Sequence, residues 1–474
     1  MGPNPGAILY PSGCVYGALA TWSVEGPKKK VVEEIHTYMD ILDLIVDELA
    51  SSMKRYDHVS RSALTSCALV SKSMSARARG HLFSTISLCW DPVTSTTTAR
   101  HARIRALKHI MEADPQFVSF VRTLELALSQ VLQGADDPEG LPGVLTMLYS
   151  TPRSGLHSLQ IIMRCAPVLP HHVWPDIDGA GRKAFINLCL SGCLTELVIH
   201  GVIRDPILLL AKIPKGLVSM ELREASFSPI APESGMGLDV GDREGAKLEK
   251  LVVDDVSSTA LFANLEAGSA LRTRILAMMQ ELKTLELERV SMWTAVRHFA
   301  FAPVLQQCKR SLQRLLWSVD VQDQISTILS HVPLSSFTAL QSLTFKIWTE
   351  DGTVLDVNTR HIFSAIQESA MPSLEHLAFA IRLRSTQSRR STIDDLINPA
   401  TGWGWEALDV ALASAVQYPW LGLVEMGIVD RPATEEAYME EARGHLEALF
   451  PSILARGVNL KISFKGVCFC NGRP

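Results

Sequence analysis

One short pattern recurs between residues 121 and 426, and it limits the folds open to this chain more than any other feature. An apolar residue is followed by two variable ones, a Leu or its equivalent, one variable residue and a second apolar residue. The first copies are Val121-Arg-Thr-Leu124-Glu-Leu126, Leu156-His-Ser-Leu159-Gln-Ile161 and Leu194-Thr-Glu-Leu197-Val-Ile199. Leu217-Val-Ser-Met220-Glu-Leu222, Leu248-Glu-Lys-Leu251-Val-Val253 and Leu282-Lys-Thr-Leu285-Glu-Leu287 follow. Then come Leu312-Gln-Arg-Leu315-Leu-Trp317, Leu340-Gln-Ser-Leu343-Thr-Phe345 and Leu374-Glu-His-Leu377-Ala-Phe379. Leu421-Gly-Leu-Val424-Glu-Met426 is a weaker tenth copy, and Ile462 with Phe464 suggests a last strand.

The closing Leu-x-apolar pair alternates with the period of a β-strand. Helical stripes separate the copies. Leu261, Leu265, Ile275 and Met279 share one face of a helix expected over 260–280. Ile325, Ile328, Leu329 and Val332 do so over 321–332, and 405–418 and 435–454 also read as helices. Strand-plus-helix units cannot bury their apolar faces singly, so they stack into a parallel sheet covered by helices. The fourth-position residues fall 23 to 47 residues apart. Leucine-rich repeats usually run about 20–29 residues. The fold class predicted is therefore α/β: an irregular leucine-rich-repeat-like solenoid over 91–474. An α/β domain whose strands happen to carry this pattern is the alternative, because the Asn usual at the turn of such repeats is missing.

Mean hydropathy is slightly positive at +0.14 in this chain of 474 residues. The excess does not trace to a membrane span. Met1 to Val24 is uncharged but broken by Pro3, Pro5, Pro11, Gly13 and Gly17, and it lacks the basic start of a signal peptide. Residues 1–35 read as a loose tail. The stretch 184–203 carries one charge, Glu196, and reads as a buried helix followed by a strand. The nine cysteines show no paired zinc-finger spacing and are expected to be free thiols.

Residues 36–90 differ in character. Ile41, Leu42, Ile45, Val46 and Leu49 make a helical stripe, with Asp40, Asp43, Asp47 and Glu48 on the other faces. A polar, basic break is expected from Ser51 to Arg61. Leu64 to Val70 reads as a second helix, 71–83 as a third, basic one, and Ser84 to Leu88 as a strand. Three short helices bury little, and such a module normally leaves apolar surface for a partner.

The segments Asp40-Ile-Leu-Asp-Leu-Ile-Val-Asp-Glu-Leu49, Ser66-Cys-Ala-Leu-Val-Ser71 and Ala76-Arg-Ala-Arg-Gly-His-Leu-Phe83 resemble an F-box. The likeness is to the divergent F-box of fungal F-box/leucine-rich-repeat-like proteins. Thr37, Tyr38, Met39 and Asp40 stand where that family has Leu-Pro-x-Glu, and Met74 stands where a Trp is usual. The resemblance implies a cytoplasmic or nuclear substrate receptor of a cullin–RING ubiquitin ligase. Its F-box would bind the Skp-type adaptor and its repeats a protein substrate. Ile41, Leu42, Ile45, Val46, Leu49, Leu69 and Val70 are the apolar F-box positions by that pattern, some of them core and some interface. A repeat scaffold with no ligase link is the alternative.

Enzymatic motifs are not evident. His171-His172 with Asp176 and Asp178 lacks metal-ligand spacing, and Gly235, Gly237, Gly241 and Gly245 lack the Lys-Ser/Thr end of a phosphate loop. No Gly-x-Ser-x-Gly elbow occurs. Asp254-Asp255 and Asp136-Asp137 read as solvated loop acids, and Trp403 and Trp405 as packing around a helix start. No enzyme activity, cofactor or metal is expected. Net charge is −5, which argues against nucleic acid as partner. Residues 36–110 sum to +4 and residues 111–474 to −9.

Overall fold

The computed structural model describes residues 42–51, 58–70, 72–88, 97–127, 140–151, 154–162, 179–201, 216–224, 247–258, 261, 270–288, 302–320, 325–349, 355–383, 404–430 and 436–466. Two compact units divide after Leu82.

Among the described residues the first unit holds three helices: α1 over 42–51, α2 over His58–Val70 and α3 over Lys72–Leu82. Helix α2 begins inside the stretch expected to be a break. Arg61 there faces solvent while Ser60 is buried, and further along the helix Thr65 and Ser66 satisfy their hydroxyls on the carbonyls of Arg61 and Ser62, at 2.9 and 3.1 Å. Val46, Leu64, Met74 and Ala78 form a small buried core, with Leu42, Leu49, Cys67 and Leu82 packed against it. An ionic clamp ties α1 to α3. Arg77 donates through Nη1 to Asp43 and through Nε to Asp47, both at 2.8 Å, and His81 Nε2 lies 2.8 Å from Asp47. The Arg77 and His81 hydrogen bonds hold the Asp47 carboxyl well below the usual carboxylate range.

Among the described residues the second unit is built on one parallel sheet of twelve strands whose spatial order is the sequence order. The strands are β1 (Thr85–Leu88), β2 (Thr123–Ala127), β3 (Ser158–Ile162), β4 (Glu196–His200), β5 (Ser219–Arg223) and β6 (Lys250–Asp254). Then follow β7 (Thr284–Glu288), β8 (Arg314–Asp320), β9 (Ser342–Thr349), β10 (His376–Leu383), β11 (Leu423–Asp430) and β12 (Asn459–Gly466). The strand expected at 84–88 is β1, and it pairs with β2, so it opens the sheet instead of ending the helical module.

Register follows the motif without a slip. The fourth-position residues Leu124, Leu159, Leu197, Met220, Leu251, Leu285, Leu315, Leu343, Leu377 and Val424 lie side by side. Ile86 continues that rung at one end and Leu460 at the other. The sixth-position rung runs in parallel from Leu126 to Met426, and both rungs are buried. The first-position residue sits before the strand and is buried in every copy. Between it and the strand, one carbonyl per copy accepts two successive N–H groups from the next copy. Arg122 O accepts from His157 and Ser158 at 2.9 and 3.0 Å, and Gln341 O accepts from Glu375 and His376 at 2.9 and 3.0 Å. This shared acceptor satisfies the bending backbone without a side-chain ladder, which accounts for the missing Asn.

Helices cover the face that carries the rungs. Those labelled here are α4 (Thr97–Ala113), α5 (Gly140–Ser150), α6 (Gly179–Cys189), α7 (Ala270–Met278), α8 (Ala302–Cys308) and α9 (Ile325–His331). They continue with α10 (Leu355–Gln367), α11 (Trp405–Leu412), α12 (Glu436–Glu447) and α13 (Pro451–Ala455). The single helix expected over 435–454 is two, because Pro451 lacks an N–H and starts a new helix at its N1 position. Asp409 of α11 caps that new helix, accepting from the N–H groups of Ser452 and Ile453, each at 2.9 Å. Arg456 returns the contact, donating to the carbonyls of Leu412 (2.8 Å) and Tyr418.

Candidate functional site

The F-box-like residues fall into three groups. Val46 is fully buried at the centre of the small core. Leu42 and Leu49 pack against that core and hold it together. Ile45, Leu69 and Val70 are exposed, at 47%, 84% and 72%. Ile41 lies outside the described residues. Leu44 and Val59 are exposed as well, although the stripe did not single them out. Met74, the departure from the usual Trp, is core. These large apolar side chains stand in water on a unit with a small core.

The second surface is the sheet face that carries neither rung. Its side chains come from the variable positions beside each motif Leu. Arg223 on β5 lies 2.7 Å from Glu221 and 3.0 Å from Glu288 on β7. Glu288 also receives Lys346 of β9 at 3.4 Å. These contacts skip a strand, or about 9.5 Å of sheet. They pass over β6 and β8, where the same register row holds Asp254 and Ser318. His200 of β4 meets Glu221 at 3.0 Å. That hydrogen bond, with the nearby Arg223 charge, lowers the Glu221 pKa from its ordinary 4.5. Further along, Glu425 of β11 holds Lys461 of β12 at 2.7 Å and His376 of β10 at 3.6 Å. These residues occupy the variable columns: Glu221, Glu425 and Lys461 follow the motif Leu or its equivalent, His200, Arg223, Glu288 and Lys346 come two residues later, and His376 precedes it.

Asp254 corrects an expectation. It is buried, not solvated, and accepts from the backbone N–H of Ser257 at 2.7 Å and from that of Glu224. Glu224 sits in the left-handed region with φ 51° and so aims its N–H at the carboxylate. Asp136, Asp137, Asp178, the glycine cluster and Trp403 lie outside the described residues. Trp405 is core, with ring centroids 4.8 Å from Phe363 and 5.7 Å from Phe450. Among the described residues no group of His, Cys, Asp and Glu could hold a metal, and no helix is long and apolar enough to cross a membrane. Cys189 and Cys308 are buried free thiols, and burial pushes the Cys308 thiol up to about 12.

No family model matches the chain. No curated protein matches it either. Among solved structures it is similar to the leucine-rich repeat-containing protein LegL7 of Legionella pneumophila. That likeness spans 77% of this chain and 98% of the other at 12% identity, with a TM-score of 0.32. The repeat architecture therefore rests on the twelve-strand order and the motif register described above.

Proposed function

We propose that this chain is a substrate receptor of a cullin–RING ubiquitin ligase. The three-helix unit binds a Skp-type adaptor, and the open sheet face holds a protein substrate. The observation that carries the reading is the exposure of Ile45, Leu69 and Val70 on a unit whose core is four residues and their neighbours. The resemblance of the segments 40–49, 66–71 and 76–83 to an F-box supports it, as does the order of helical module and repeats. The chain itself makes and breaks no bonds in this scheme. It acts by raising the local concentration of substrate lysines near the ligase. A receptor of this kind works in the cytoplasm or nucleus.

The second reading, a repeat scaffold without a ligase partner, is favoured by one feature: Met74 fills the core where the family has Trp. Mixing the purified full chain with a purified Skp-type adaptor decides between them. A complex at micromolar concentration that Ile45→Asp with Leu69→Asp abolishes is the expected result. Both side chains are exposed, so the fold survives the change. Absence of a complex leaves the scaffold.

A further inference from the structure

We propose that the free edge of β12 pairs with β12 of a second copy of this chain, antiparallel about a two-fold axis through Ile462. The two ends of the sheet differ. Strand β1 has four residues and β12 has eight, and among the described residues no strand pairs with the outer edge of β12. Asn459 donates to the Gly422 carbonyl at 3.0 Å. In a parallel ladder the N–H and C=O of one residue point to the same side, and that side alternates along the strand. Asn459, Lys461 and Ser463 therefore turn toward β11, and Leu460, Ile462 and Phe464 aim their N–H and C=O groups out of the edge. A long open edge is a template for another strand.

The core is open at the same place. A solenoid is closed off by a terminal repeat with a polar outer face. The last unit here is apolar instead. Leu460 and Phe464 are half-buried, whereas their neighbours Val424 and Ile428 on β11 are fully buried. Leu454 on α13 is exposed as well. A second β12 completes this end. An axis through Ile462 sets Leu460 opposite the second copy's Phe464, and each such pair exchanges both N–H···O bonds. Residues directly opposite share a face, so the buried rungs run on through the joint. A slip of one residue would turn them into water.

Charge selects the register. The axis through Ile462 sets Lys461 opposite the second copy's Ser463. An axis through Ser463 would set Lys461 opposite Lys465, and one through Lys461 would oppose that residue to itself. Lysines guard an edge by repelling their like. Lys461 is tied to Glu425 of its own sheet at 2.7 Å, which balances that charge. Pairing β12 with β1 of another copy engages only four residues and does not close.

Sedimentation equilibrium of the full chain reads the mass. A species of twice 52.1 kDa is expected at about 0.1 mM, giving way to 52.1 kDa on dilution. Ser463→Glu opposes a carboxylate to Lys461 at both symmetry-related positions and should tighten the dimer about three- to tenfold. Ser463→Lys should loosen it by a similar factor. Gly427 beside Ser463 leaves room for the longer side chains. Ala102→Lys, exposed on α4, adds the same charge elsewhere and should leave the mass unchanged. Hydrogen exchange on the native chain decides the matter if a variant misfolds. The Leu460, Ile462 and Phe464 amides should gain protection on dimer formation, while those of Asn459, Lys461 and Ser463 are protected throughout. A monomer at about 0.1 mM overturns the proposal, as does a mass that grows past the dimer. A dimer indifferent to both Ser463 variants, or one that Ser463→Glu loosens, overturns it too. So does protection of the three outward amides in the monomer, since the chain would then cover its own edge. None of these readouts uses the adaptor, so failure here leaves the receptor reading in place, and failure of adaptor binding leaves the dimer.

Discussion

The first seven strands of the array and the last five share one motif and one register, yet they are built differently. Strands β1 to β7 have four or five residues, and their sixth-position rung is aliphatic: Leu126, Ile161, Ile199, Leu222, Val253 and Leu287. Strands β8 to β12 have seven or eight, and three of their five rung residues are Trp317, Phe345 and Phe379. The extra length adds another buried rung with Val319, Ile347, Ile381 and Ile428. The rings stack onward from strand to strand, at 6.2 Å from Trp317 to Phe345 and 6.1 Å from Phe345 to Phe379. Phe363, Trp405 and Phe450 carry the chain of rings on into the helical layer. A repeat motif thus sets the strand spacing and register, while side-chain volume sets how thick and how wide each unit is.

Phe379→Ala should have the largest effect. Its ring is 1% exposed and packs between Phe345 and Phe363, so truncation costs about 3–5 kcal/mol. Urea denaturation measures the loss. Hydrogen exchange should speed in β9 to β11 and stay unchanged in β2 to β5. Acceleration everywhere would break the comparison and show that the array opens as one body.

The buried carboxylates come next. Asp409→Ala and Asp254→Ala each strip two backbone N–H groups of an acceptor, for about 1–3 kcal/mol apiece. Asp409 joins elements 43 and 44 residues apart, whereas Asp254 also serves a turn three residues on. Proteolysis should therefore release the C-terminal segment in the first variant and cut near 255–258 in the second. The same cleavage pattern in both would erase the distinction.

Ile199→Val, on the aliphatic side, should cost only about 0.5–1.5 kcal/mol by thermal melting. Acid sharpens the contrast further. The Glu221 pKa is lowered from 4.5 in the folded chain, so its contribution is complete above that value. It is lost as pH falls through the depressed folded value. A Glu221→Gln chain should show a flatter fall in urea midpoint below about pH 4.5, with β4 to β6 amides reporting it first. Smallest of all, Lys346→Met should change stability by less than about 1 kcal/mol, because the Glu288 contact is half-exposed and screened.

The strands of the array were legible in the amino-acid sequence because each copy needs two buried rungs in fixed register. Leu-x-x-Leu-x-Leu states that need directly. Helix limits were less legible. Thr65 and Ser66 are poor helix formers in isolation, yet they sit within α2, where their hydroxyls bond the carbonyls one turn back. Pro451 was the missed stop inside 435–454. The proposed interaction surfaces were half legible. Stripe positions in 41–49 mix core and surface, since three short helices leave several faces in contact with water, and only packing separates Val46 from Ile45. The sheet face stayed hidden because its residues occupy the variable positions, whose neighbours come from other copies.

The strict agreement of strand order with sequence order also bears on how the chain is made. Ten motif copies spread from 124 to 424 amount to about 33 residues each. A ribosome adds about 5–20 residues per second, so a copy takes seconds to emerge. Helices and local pairings form in microseconds. Every new strand therefore finds its partner already outside the exit tunnel, and no strand waits for a later one to fill a gap in the sheet. Synthesis and folding run in the same direction, with the aromatic end as the last part to close.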